Sequence, residues 1–128
     1  MGINGITMIK IFLVDDQPSI RKGLRMQMAL ESDFELVGET GDSLSAPRLI
    51  AELQPDVVIL DVNMPEMDGF TTLQTLHDLG IDIPVIILSF QADPASRKRA
   101  FALGAADFIE KRTAGSELLT AIRRLAGK

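Results

Sequence analysis

Asp56-Val57-Val58-Ile59-Leu60-Asp61-Val62-Asn63-Met64-Pro65-Glu66-Met67-Asp68-Gly69 is the stretch on which the reading of this chain turns. Val57 to Leu60 form an aliphatic run too short for a core helix and rich in β-branched residues, which predicts a strand buried on both faces. Asp61 stands where the run stops. In a parallel α/β sheet the functional crevice lies at the carboxyl ends of the strands, so a carboxylate there is a candidate site residue. Alone, such an Asp commonly opens an ordinary polar turn, and the other strand ends decide between the two.

Working outward, Ile9 to Val14 is a second apolar run and ends in the acidic pair Asp15-Asp16. Phe34 to Glu39 reads as a strand, Pro84 to Leu88 ends in Ser89, and Asp107 to Glu110 ends in Lys111. Helices separate these runs. Pro18 suits a first helical turn, and Ile20, Leu24 and Met28 recur as an apolar stripe with Met26 and Leu30 beside it. A short second helix is expected from Ala46 or Pro47 through Leu49, Ile50 and Leu53, with Ser43 and Ser45 as candidate caps. Thr71 or Thr72 opens a third, with Leu73, Leu76 and Leu79 inward and Gly80 closing it. Asp93-Pro94 is an N-cap followed by an N1 proline for a fourth, which runs to about Leu103 before Gly104. Ser116 is the expected cap of a last helix burying Leu118, Leu119, Ile122 and Leu125. Strand and helix thus alternate five times, which implies a parallel sheet with helices on both faces.

The 128 residues suffice for one domain with its own core. Acidic residues outnumber basic ones, 18 against 13, for a net charge of -5, the wrong balance for non-specific nucleic-acid binding. The absence of cysteine excludes disulfides and thiolate metal sites. No run approaches the roughly 18 to 20 apolar residues of a membrane span, and a cytoplasmic location is expected. Residues 1–8 read as a loose leader, Met8 as a candidate natural start, and residues 9–128 as the single domain. A linker to a further domain would begin just after Lys128.

Taken together, the acidic pair, D-V-N-M-P-E-M-D-G after the third strand, Ser89 and Lys111 make nearly the whole chain resemble the receiver domain of bacterial two-component response regulators. The resemblance implies the flavodoxin-like (βα)5 fold with strand order 2-1-3-4-5. That order makes the first and third strands neighbours and gathers Asp15, Asp16 and Asp61. Carboxylates about 4 Å apart repel by roughly 4 kcal/mol per pair at an effective dielectric near 20, so a cation is required. With only oxygen ligands at hand, a hard ion such as Mg2+ fits. By resemblance, Asp61 is the phosphoacceptor, Asp16 and Asp61 ligate Mg2+ directly, Asp15 reaches it through water, and the Asn63 backbone carbonyl adds a ligand. Lys111 and the Ser89 hydroxyl meet the phosphoryl group, the lysine contact being expected only once that charge is added. Ser89 and the ring of Phe108 form the switch, read out on the surface of the fourth helix, fifth strand and fifth helix.

Departures from the family pattern carry their own expectations. Phe108 lacks a hydroxyl, so a polar readout of its position is in question. Arg112 follows the lysine where proline is usual, and with Leu118-Leu119-Thr120-Ala121-Ile122-Arg123-Arg124 this is similar to the NarL/FixJ/LuxR type, which carries a helix-turn-helix output domain. Phe90 follows Ser89 where a small residue is common; its ring either covers the route to the phosphate or enters the core. The single histidine, His77, is expected to face solvent, so the donor is a histidine on another protein, a sensor histidine kinase. Arg97-Lys98-Arg99 is either a solvated face or a docking surface for an acidic partner. A homodimer would form through the fourth helix, fifth strand and fifth helix or through the first and fifth helices. DNA would be reached only through an output domain. Two other readings are an aspartyl-nucleophile phosphatase, which would place a second acid where Asn63 stands, and an interaction module of receiver fold that needs no phosphate.

Overall fold

The computed structural model describes residues 7–62, 69–90, 93–113 and 115–127. The elements are β1 Ile9–Val14, α1 Pro18–Ala29, β2 Phe34–Thr40, α2 Ala46–Leu53, β3 Val57–Asp61, α3 Gly69–Asp78, β4 Val85–Ser89, α4 Pro94–Ala102, β5 Asp107–Glu110 and α5 Gly115–Leu125. All strand pairs are parallel, in the order β2-β1-β3-β4-β5. The fold is therefore the doubly wound (βα)5 flavodoxin-like sheet that the alternation and the resemblance imply.

Strand side chains alternate between the two faces and divide the core. Ile11, Leu13, Ile59, Ile86 and Ile109 meet Leu24 and Met28 of α1 and Leu118 and Ile122 of α5. Phe12, Val58, Leu60, Ile87 and Phe108 meet Ile50 of α2, Leu73 and Leu76 of α3, and Ala100 of α4. β3 and β4 are buried along their whole length, as their unbroken apolar runs require. Each fully buried aliphatic side chain contributes about 1.5 to 3 kcal/mol of transfer free energy, so the central strands are the rigid floor under the site.

Several helix expectations are corrected by how each helix is rotated. Met26 and Leu30 point to solvent at 61% and 83% exposure, because α1 buries only the narrow Leu24 and Met28 stripe. Leu79 is 63% exposed, since α3 has ended at Asp78. Gly80 does close that helix, with a positive φ of 72°. Ser45 occupies the N-cap position of α2 without capping it; its backbone is αR and its hydroxyl bonds the Asp42 carbonyl. Ser116 is not a cap, because α5 already begins at Gly115. Asp93 caps α4 as expected, accepting from the Ser96 N–H at 3.0 Å, which holds its carboxyl below the usual value. Arg123 anchors α5 by donating to Asp33 at 2.9 Å and stacking on Phe34 at 4.7 Å from the ring centre. The hydrogen bond from Arg123 lowers the Asp33 pKa.

Thr7 and Met8 precede β1 without regular structure, and the rest of the expected leader lies outside the described residues. Among the described residues no helix is long and apolar enough to cross a membrane.

Candidate functional site

Register alone aligns the chemistry. Val14 of β1 pairs with Leu60 of β3, so Asp15 and Asp61 emerge side by side one residue later. Asp61 is level with Leu88, and Ser89 with Glu110, which puts Ser89 and Lys111 at the same edge. Asp15, Asp61 and Ser89 are buried at 0%, 1% and 1% exposure. The Asp15 main chain is fixed on both sides, its N–H donating to the Thr40 carbonyl at 3.0 Å and its carbonyl accepting from Arg21. Its Oδ1 accepts from the Gln17 N–H at 2.9 Å, at the mouth of α1.

Lys111 Nζ lies 3.1 Å from Asp15 Oδ2 and 3.0 Å from Asp61 Oδ2, and its side chain is 4% exposed. The lysine is thus paired before any phosphoryl charge is present, a pairing the sequence did not foreshadow. It is already the counter-charge of two buried carboxylates, whose repulsion would otherwise stand uncompensated. Any group arriving on Asp61 therefore meets a lysine that already has two carboxylate partners.

Asp15, Asp16 and Asp61 each offer an oxygen, all within 4.8 Å of one another. Asp16 Oδ1 is buried and accepts no hydrogen bond from the described residues. An all-oxygen donor set of this charge with an unused buried lone pair suits a hard divalent cation. The cluster is thus capable of coordinating a divalent ion. Asn63, the expected source of a further ligand, lies outside the described residues.

Gly69 was not singled out by sequence reasoning, and the structure gives it a task. A Cβ there would stand 2.6 Å from the Asp61 carbonyl oxygen and 2.7 Å from the Val62 Cα, so only glycine lets α3 begin against the end of β3.

Phe90 is 37% exposed, so the core alternative falls. Lys111 Nζ sits 4.6 Å from its ring centre, a cation–π contact in which the ring flanks the ammonium. Beside them a cavity of about 230 Å3 is lined by Ile20, Leu24, Leu88, Phe90 and Lys111. Phe108 is turned inward at 3% exposure. His77 is exposed on α3, away from the strand ends, as expected.

A parallel sheet whose carboxyl edge gathers three acids and a lysine is the arrangement expected of a receiver domain. The chain belongs to the response regulator receiver domain family, whose model matches residues 11–123. It is closely related to the NarL/LuxR type. The signal receiver domain of the response regulator NarL from Mycobacterium tuberculosis superposes with a TM-score of 0.88 at 30% identity, over 94% of this chain and 98% of that one. A LuxR-family two-component response regulator from Aurantimonas sp. SI85-9A1 gives 0.88 at 29% identity, over 95% and 88%. The uncharacterized transcriptional regulatory protein YhcZ of Bacillus subtilis is 37% identical over 87% of this chain and 52% of its own length. The chain spans about half the length of the curated relatives it matches. Domains of this family are not ordinarily enzymes beyond their own phosphorylation and dephosphorylation.

Proposed function

We propose that residues 9–128 act as a single receiver domain that takes a phosphoryl group onto Asp61 from a sensor histidine kinase and thereby controls an output. The observation that carries this reading is the convergence of Asp15, Asp16, Asp61 and Lys111 on one strand edge. An Asp61 carboxylate oxygen attacks phosphorus, the P–N bond to the donor histidine breaks, and its electron pair stays on the imidazole. Mg2+, when bound, neutralises charge on the phosphoryl oxygens. Asp16 and Asp61 would hold it directly, with Asp15 through water and the Asn63 carbonyl completing the set. Lys111 shifts from the carboxylates to the new charge, and the Ser89 hydroxyl donates to it. Ser89 and Phe108 then bias the surface of α4, β5 and α5. The transcriptional names of relatives twice as long favour transcription as the output, with DNA contacted by a part of the protein outside this chain.

Acetyl phosphate with Mg2+ tests this directly. Intact mass should show one added phosphoryl group, removed by hydroxylamine, which cleaves acyl phosphates, and absent when the metal is chelated. Label that persists without metal, or that resists hydroxylamine, would overturn the reading.

Phe90 sets the expected rates. Its ring flanks the Lys111 ammonium and is partly exposed, and a ring there hinders both an entering donor and the water that later hydrolyses the acyl phosphate, since each approaches in line. Phe90→Ala is expected to speed labelling and shorten the phosphate lifetime by about a few-fold to tenfold, at most about 1.4 kcal/mol of barrier. Unchanged rates would remove the ring from the path. No label on either wild type or Phe90→Ala would favour a module that works without phosphate.

A further inference from the structure

α4 is attached to the body of the domain differently from the other helices. α3 buries Phe70, Leu73 and Leu76 and α5 buries Leu118, Ala121 and Ile122, whereas Ala100 is the one buried residue of α4. A single buried methyl group is a weak anchor for a helix, because burial scales with apolar area. Two arginines make up the difference. Arg99 lies over the Phe70 ring of α3 at 4.3 Å. Arg97 lies between two rings, 5.4 Å from Phe101 on its own helix and 5.9 Å from Phe108 on β5, and its Nη1 donates to the Phe108 carbonyl at 3.2 Å.

Arg97 therefore reads Phe108 twice, through the ring and through the backbone. Phe108 has no hydroxyl with which to report its own position, and Arg97 is the polar group that touches it from α4. We infer that Arg97 is the positioning residue that couples Phe108 to α4, holding the helix on β5 while the ring is inward and freeing it when the ring or strand shifts. A switch element needs contacts that hold it only modestly, so that a local change can tip its equilibrium. An exposed cation–π contact with one charge-assisted hydrogen bond is of that strength. The trigger rests on the proposed phosphorylation of Asp61; the coupling itself is a property of the unphosphorylated chain.

Hydrogen exchange over α4 in the full chain tests both parts, with Arg97→Ala and Arg97→Lys compared to wild type before and after acetyl phosphate with Mg2+. Without donor, the alanine variant is expected to exchange its α4 amides about threefold to tenfold faster, with α1 and α2 unchanged. The lysine variant should fall between, since an ammonium keeps the cation but loses the planar fork. Labelling of Asp61 should stay within about twofold of wild type, because Arg97 contacts Phe108 of the switch, whereas the ammonium beside Asp61 is that of Lys111. After labelling, α4 of wild type should exchange faster and α4 of Arg97→Ala should change no further. Equal exchange of wild type and Arg97→Ala without donor would overturn the coupling. An equal response to labelling in both would overturn its part in the switch. If wild type takes no label, the proposed function fails, and the exchange measured without donor still decides whether Arg97 holds α4.

Discussion

Asp61→Asn is expected to abolish phosphoryl labelling, leaving no signal above background where wild type takes one group. The amide matches the carboxylate in size but carries no charge and is a poor nucleophile, so the loss is chemical rather than structural. Asp15 and Asp16 should not substitute, since Asp15 is held by Gln17 and Lys111, and Asp16 stands one residue beyond the end alignment of β1 and β3. Electrostatics decide the effect on stability. Asp61 faces two like charges and one lysine, each interaction worth roughly 4 kcal/mol at 4 Å and an effective dielectric near 20. The two repulsions outweigh the one attraction, so the metal-free variant should be more stable than wild type. Added Mg2+ should stabilise wild type by about 2.7 kcal/mol at a hundred times its dissociation constant, and the variant by less than half of that. Labelling of the variant at the wild-type level would sink the assignment of Asp61. Equal stabilisation of both proteins by Mg2+ would separate Asp61 from the metal.

The strand ends were legible in the sequence because strand chemistry is local. Apolar runs mark where each strand stops, and a parallel sheet collects those ends on one edge, which holds Asp15, Asp16, Asp61, Ser89 and Lys111; that the three acids are neighbours on it followed from the strand order the resemblance implies. Helix rotation was less legible. Met26 and Leu30 fit an apolar periodicity yet face solvent, since the width of the buried stripe depends on how closely the sheet approaches the helix, and Leu79 does so because α3 ends one residue before it. Contacts between a cation and a ring were not legible at all. Arg97 and Arg99 read as a charged face, but each covers a phenylalanine, Phe108 lying eleven positions further along the chain and Phe70 on a different helix. Gly69 belongs with these: its need for a bare Cα arises from the Asp61 carbonyl, which only the fold brings to it. The lysine's edge was legible and its pairing with Asp15 and Asp61 was not, because composition near a site does not say which charges are already paired.

That pairing makes Lys111→Ala the most informative second variant. In wild type its ammonium is buried between Asp15 and Asp61, so deleting it leaves two buried carboxylates beside Asp16 without their cation. Removing one partner of a buried pair costs about 3 to 5 kcal/mol. An exposed pair such as Arg48 with Glu52 would be worth about 0.5 kcal/mol or less. The loss should therefore be large in chelator and should shrink as Mg2+ is added, because the ion supplies the same counter-charge. For the same reason Mg2+ should bind the variant more tightly than wild type, where the lysine competes for the carboxylates. Labelling of Asp61 with Mg2+ present should persist, slowed by the missing cation, while the phosphate-induced change at α4 should largely vanish, since Lys111 can no longer move from the carboxylates to the new charge. Denaturation midpoints with and without Mg2+, together with hydrogen exchange of α4 before and after labelling, report each part. A variant as stable as wild type in chelator would show that Lys111 is not the counter-charge. A variant that still changes α4 on labelling would show that the lysine is not the link between Asp61 and the surface.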